Sequence, residues 1–246
     1  MQKFSLSEHF QELKSRIIKI FCSFIVVFII CYYSKVEIFN FLLLPIFELN
    51  SHHNHKIIYT GLAEAFFTYL KLATYSSLLI IMPVIAYQIY SFIKPGLHNG
   101  ERKIAVVTLA IAPILFWGGS FFVFYYVMPK AWQFFLSFEQ KDALLPIILE
   151  ARISEYLNLV IQLVFAFGMA FQLPVVLVIL NLLKIISVAN LRNKRRFAIV
   201  IIFIVAGILT PPDILSQFAL AIPMLLLYEI SIMICKLVED RGTTDA

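Results

Sequence analysis

The residues able to do chemistry in this chain are few, and most of them stand outside its apolar blocks. All five histidines, His9, His52, His53, His55 and His98, fall before or between those blocks, so neither a Ser-His dyad nor an H-E-x-x-H zinc helix can be assembled inside a membrane. The His52-His53-Asn54-His55 run has enough imidazoles to meet a divalent metal, but loop histidines without a rigid frame bind weakly and nonspecifically. It reads as a solvated loop, and no metal is expected. Cys22, Cys31 and Cys235 all lie in apolar segments and form no C-x-x-C pair, a pattern of buried apolar packing rather than redox work. Only eight glycines occur and none builds a phosphate loop, so the chain is not expected to be driven by nucleotide. Neither a cofactor nor an enzymatic activity is expected.

The carboxylates and amides are more informative. Among the many cations of one set of connections stand Glu8, Glu12, Glu101, Glu239, Asp240 and Asp245. Glu12 lies in His9-Phe10-Gln11-Glu12-Leu13-Lys14 and Glu101 in a segment running from Phe92 to Arg102. Taken alone, each reads as an ordinary solvated carboxylate pairing with a nearby Lys or Arg, although their place among cations raises a functional question. Within the apolar blocks the polar residues are Gln88, Asn158, Gln162, Gln172 and Asn181, with Glu155, Lys71 and Glu229 near block ends. Ion-coupled carriers place ionisable groups near the bilayer midplane. Here the membrane-embedded position is an amide, Gln172, and no inverted repeat is visible, which weakens the alternative reading of a proton-coupled small-molecule secondary transporter.

The elements that must position these groups are membrane helices. With 61% hydrophobic residues, 14% charged residues and a mean hydropathy of +0.88, the chain needs lipid as its solvent. Its apolar blocks are too long for the alternating strands of an outer-membrane barrel. The expected fold is all-α: a polytopic integral membrane protein, one transmembrane domain over residues 1–246, with spans at about 17–34, 66–93, 104–128, 155–183, 197–210 and 215–235. The first block lacks a small-residue cleavage site and is read as a retained span. With the N-terminus inside, fourteen of the twenty basic residues fall on inner segments and six on outer ones, which places both termini in the cytoplasm. The net charge of +5 flanks apolar blocks instead of forming a basic face, so nucleic acid is not an expected partner; membrane lipid is.

Two long outer connections, about 35–65 and 129–154, contain apolar stretches such as 38–47 that are expected to form short interfacial helices. Pro83, Pro113, Pro174 and Pro223 fall inside predicted spans and are expected to kink them into a curved, concave arrangement. The fifth span is short. About 14 residues reach roughly 21 Å of a roughly 30 Å core, which predicts local thinning or an outer end left low in a protein-lined depression.

Four ordered motifs then resemble the TatC family, the multi-span receptor subunit of the twin-arginine protein translocase. His9-x-x-Glu12-Leu13 resembles the family's H-L-x-E-L-R-x-R opening. Pro83-x-x-x-Tyr87-Gln88-x-x-x-Phe92-x-x-Pro95-Gly96-Leu97-x-x-x-Glu101-Arg102 is similar to its second-span and first-inner-loop signature. Ala166-Phe167-Gly168-x-x-Phe171-x-x-Pro174 and Thr210-Pro211-Pro212-Asp213-x-x-Ser216-Gln217 match its later motifs in order. Lys14 stands where the family carries arginine, keeping the charge without the planar fork. Gln172 stands where relatives often carry glutamate, leaving no protonatable group.

The resemblance implies a receptor for twin-arginine signal peptides, forming the core of a translocase that moves folded proteins on the proton-motive force. Adjacent arginines of an extended peptide point to opposite sides, which suits carboxylates from two different segments. By resemblance Glu12 and Glu101 are that pair, with Phe92, Pro95, Arg102 and Lys14 shaping the surface. Thr210, Gln217, Asp213 and shortened fifth and sixth spans would meet single-span TatA/TatB-type partners in a complex holding several copies of the chain. The implied location is a bacterial inner membrane, with an organelle inner or thylakoid membrane as the alternative.

Overall fold

The computed structural model describes residues 6–49, 57–96, 99–140, 145, 149–210 and 214–244. His52, His53, His55, His98, Pro211, Pro212 and Asp213 lie outside the described residues, as do the side chains of His9 and Glu101. The elements are α1 (Leu6–Tyr33), α2 (Lys35–Leu49), α3 (Glu64–Ile80), α4 (Met82–Ile93), α5 (Asn99–Phe122), α6 (Met128–Leu136), α7 (Ile153–Ala170), α8 (Leu173–Leu182), α9 (Val188–Asn193), α10 (Arg195–Leu209) and α11 (Ile214–Thr244). Among the described residues there is no strand, only an isolated parallel bridge between Ile58 and Arg152. An apolar chain in lipid must satisfy its backbone within each segment, and helices do so.

Each of the six expected ranges holds a helix. Four are long and apolar enough to cross a bilayer: Phe10–Tyr33, Arg102–Leu136, Ile153–Leu182 and Ser216–Glu239. The pair α3 and α4, bent by 50°, makes a fifth when counted as one span. The remaining helix, α10, has 15 residues and reaches only about 22 Å. The expected short fifth helix is present. The sixth is not short: α11 has 31 residues, because the basic and acidic residues that close its apolar run are good helix formers and extend it.

The four prolines behave in two ways. Pro83 sits in the first turn of α4, at the bend after α3, and Pro174 in the first turn of α8, just past the break that ends α7. There the missing N–H coincides with a helix start, where no intrahelical acceptor is lost. Pro113 and Pro223 lie inside unbroken helices. The third span also outruns its expected end. A π-helical segment, Val123–Val127, leads into α6, with the Met128 N–H reaching back to the Val123 carbonyl. This wider turn carries the helix past Pro129, whose ring nitrogen has no proton to donate.

Packing proceeds as a row: α1 lies on α3 and α4, these on α5 and α7, α5 on α7 and α8, α8 on α11, and α11 on α10. Helix α1 is an edge member with most of its apolar surface turned outward, as lipid allows. The centre is α7, where Leu157, Val160, Leu163, Val164 and Phe167 are buried. Two glycines set the α5–α7 approach: a Cβ on Gly119 would lie 2.6 Å from the Phe167 carbonyl oxygen, and one on Gly168 would lie 2.8 Å from the Phe116 ring. Gly118, one residue away, has nothing within 4 Å of its Cβ position. Gly119→Ala is therefore expected to destabilise by about 1–3 kcal/mol through overpacking, while Gly118→Ala is neutral or slightly stabilising. Equal melting temperatures for the two variants in detergent would refute this account of the crossing.

Candidate functional site

At the N-terminal end of α1 the exposed and half-buried faces alternate, and Glu12 and Arg16 fall one turn apart on the half-buried side. The Arg16 Nε donates to Glu12 Oε1 at 3.1 Å, and its Nη2 also donates to that oxygen. The guanidinium continues across to α4: Nη1 donates to Gln88 Oε1 at 3.3 Å and Nη2 to the Ser91 carbonyl at 2.9 Å. The Arg16 side chain is 18% exposed and that of Glu12 30%. Ser91 lies in the last turn of α4. The half-buried Phe92 follows, then Pro95 in a 3-10 turn, Lys94–Gly96, exposed at the surface. Glu101 stands in the first turn of α5. Arg102, half-buried on the same helix, has its Nε buried with no hydrogen-bond partner among the described residues. Lys14 is exposed on α1.

Sequence reading placed Glu12 but gave Arg16 no role beyond orienting the chain. The i, i+4 spacing of Glu12 and Arg16 was a legible signal for their pairing. No pattern announces the Ser91 carbonyl.

The starts of α3 and α7 are held by a second polar cluster that sequence reading missed. Glu64 begins α3, and its carboxylate accepts from the Thr60 N–H at 2.9 Å, the Gly61 N–H at 3.1 Å, Arg152 Nη2 at 3.2 Å and the Ser154 hydroxyl at 2.6 Å. The bridge between Ile58 and Arg152, with an Ile153 N–H to Ile58 carbonyl bond of 2.9 Å, ties the same loop to the start of α7. Tyr156 donates its hydroxyl to the Leu42 carbonyl at 2.6 Å and stacks on Trp132, which joins α2 and α6 to this cap.

Between the two ends, α7 turns Glu155, Asn158 and Gln162 outward. Lys71 Nζ donates to Asn158 Oδ1 at 2.6 Å, and Gln162 Nε2 donates to the Leu209 carbonyl at 3.2 Å. Leu209 is the C-terminal end of α10, and Gln162 is nine residues along α7 from Ile153. At 1.5 Å per residue, α10 ends level with a point about 14 Å along α7 from its start. Gln172 Nε2 donates to the Ala112 carbonyl at 2.8 Å, a neutral contact that an ionised glutamate, having no proton, could not make. Thr210 is buried and donates to the Ala206 carbonyl at 2.8 Å. Gln217 donates to the Phe203 carbonyl at 3.2 Å and lies against Gly207. Both of these expected partner-contact side chains are thus engaged within the chain.

The family model for Sec-independent protein translocase protein (TatC) matches residues 8–223. The chain belongs to the TatC family. Among relatives, the Sec-independent protein translocase protein TatC of Rickettsia prowazekii is 60% identical over 243 residues, covering 99% of this chain and 97% of that one. The TatC protein of Magnetococcus marinus is 42% identical, covering 98% and 87%. A crystal structure of the twin-arginine translocase receptor TatC in DDM has a TM-score of 0.79 at 33% identity, covering 92% of this chain and 99% of that one. As a TatC-family protein the chain is a multi-pass membrane component of Sec-independent protein translocation and not an enzyme. The four motifs fall at four places in this TatC-family fold: the N-terminal end of α1, the segment joining α4 and α5, the break between α7 and α8, and the segment joining α10 and α11.

Proposed function

We propose that this chain is the receptor for twin-arginine signal peptides and the core of a proton-motive-force-driven translocase for folded proteins. The observation that carries the reading is Glu12, held on α1 by Arg16, whose guanidinium in turn donates to the Ser91 carbonyl at the end of α4, the helix that precedes Pro95 and Glu101 in the chain. Carboxylates on two segments suit two arginines that diverge from an extended peptide. Phe92, Pro95, Arg102 and Lys14 form the surrounding surface. A direct titration of the purified protein with a twin-arginine peptide and a twin-lysine control tests it. Arginine-selective binding supports the reading; equal affinity for both peptides removes it.

Single-span TatA/TatB-type partners and further copies of this chain complete the machine, meeting it near the outer end of α10 and α11 at Thr210, Gln217 and Asp213. Because Thr210 is buried and Gln217 already donates within the chain, a partner helix there engages the surface around Gly207 and exchanges, rather than adds, hydrogen bonds.

The proposed setting is a bacterial inner membrane, crossed six times by one domain with both termini cytoplasmic. In a background lacking Cys22, Cys31 and Cys235, an impermeant thiol reagent added to intact cells is expected to label His53→Cys but not Asn99→Cys or Arg192→Cys. Labelling at Asn99→Cys reverses the topology.

A further inference from the structure

The pairing of Arg16 with Glu12 is lopsided. In the fork-to-fork arrangement an arginine covers both oxygens of a carboxylate with two parallel bonds. Here Arg16 Nε and Nη2 both donate to Oε1, and Oε2 has no partner among the described residues. Two further N–H groups are committed to α4, one of Nη1 to Gln88 Oε1 and the second of Nη2 to the Ser91 carbonyl. Gln88 is itself buried, so the anchor on α4 is fixed. The arrangement therefore holds one carboxylate oxygen still and presents the other. An ordinary i, i+4 surface pair has no third or fourth acceptor and leaves both side chains free to swing.

We propose that Arg16 is a positioning residue for signal-peptide recognition. It clamps Glu12 through Oε1, using Gln88 and the Ser91 carbonyl as its own anchors, so that Oε2 is oriented to accept an N–H from an incoming guanidinium. This rests on the receptor reading of Glu12 and adds to it the residue that sets the carboxylate's direction. It also accounts for Gln88, a buried amide in an apolar helix, whose side-chain oxygen fixes Arg16 Nη1. A charge of the same sign as the ligand sits beside the site, but its N–H groups face Oε1 and α4. The peptide's guanidinium approaches from the opposite side of the carboxylate.

Peptide affinity for four proteins separates the possibilities: wild type, Glu12→Gln, Arg16→Gln and the double variant, each also followed by thermal denaturation in detergent. Arg16→Gln is expected to weaken twin-arginine peptide binding about tenfold, and to cost nothing further once Glu12 is already Gln. Gln88→Leu, which keeps the Arg16–Glu12 pair and removes one anchor, should weaken binding by a smaller factor. If Arg16→Gln weakens binding equally in the presence and absence of the Glu12 carboxylate, Arg16 only braces α1 on α4, and the proposal is overturned. Tighter binding by Arg16→Gln would make Arg16 a competitor for Glu12 and likewise overturns it. If Glu12→Gln weakens binding while Arg16→Gln does not, the proposal fails and the receptor reading stands. If Glu12→Gln binds as the wild type does, both fail together.

Discussion

Replacing Glu101 with alanine is expected to weaken binding of a twin-arginine peptide about ten- to a hundredfold. A hydrogen bond to a charged group contributes roughly 1.5–3 kcal/mol, and each 1.4 kcal/mol is about a factor of ten in affinity. Glu101 stands in the first turn of α5, where a negative charge is favoured by the helix dipole. Losing the carboxylate therefore removes a ligand contact at a cost to the helix start of only a few tenths of a kcal/mol. Isothermal titration with the purified variant, alongside a melting curve that matches the wild type, measures the effect. Unchanged affinity in a folded protein would remove Glu101 from the binding surface.

The second large effect concerns α10. Inserting four leucines after Val205 lengthens this 15-residue helix by about 6 Å, most of the roughly 8 Å by which it falls short of the hydrocarbon core. Mismatch costs fractions of a kcal/mol per Å, so the full deficit amounts to a few kcal/mol, enough for a tenfold or larger change in a rate. The insertion is expected to leave signal-peptide binding intact, since Glu12 and Glu101 lie on other helices, and to reduce transport at least tenfold. Two confounds are visible in the structure. Four residues rotate the Thr210 face by about 40°, and the bond from Gln162 to the Leu209 carbonyl is broken. Assembly with partners checks the first, and Gln162→Leu alone, which removes the bond without lengthening the helix, checks the second. Transport at the normal rate by the insertion variant would show that the short span is not required.

Much of this architecture could be read from residue order because lipid leaves few choices. Long apolar runs with sparse charges must be helices, and all six expected ranges hold one. Boundaries were less legible where local chemistry outvoted composition. Pro129 and Lys130 look like a stop, but the π-helical segment at Val123–Val127 carries the helix on to Leu136. Four prolines read alike in sequence, yet two mark helix starts and two lie in continuous helices. Around Glu12 the motif residues were identifiable, whereas the acceptors that fix Arg16 were not. One is a backbone carbonyl, at Ser91, and the other an amide 72 residues away. The Glu64–Arg152–Ser154 cap joins residues 88 and 90 positions apart and left no trace in either segment alone.

The low end of α10 at Leu209 also bears on how a membrane voltage would be distributed. Water reaching along exposed Glu155, Asn158 and Gln162 to the Leu209 carbonyl would carry the potential of that side about 14 Å inward. The remaining insulator there would be about half of the roughly 30 Å core. Moving one elementary charge across the full potential is worth about 2.3 kcal/mol per 100 mV. Over half the distance that work is done by a field about twice as strong. A charge or dipole crossing beside Gln172 would feel a steeper electrical gradient than one crossing intact bilayer, although the total voltage is the same.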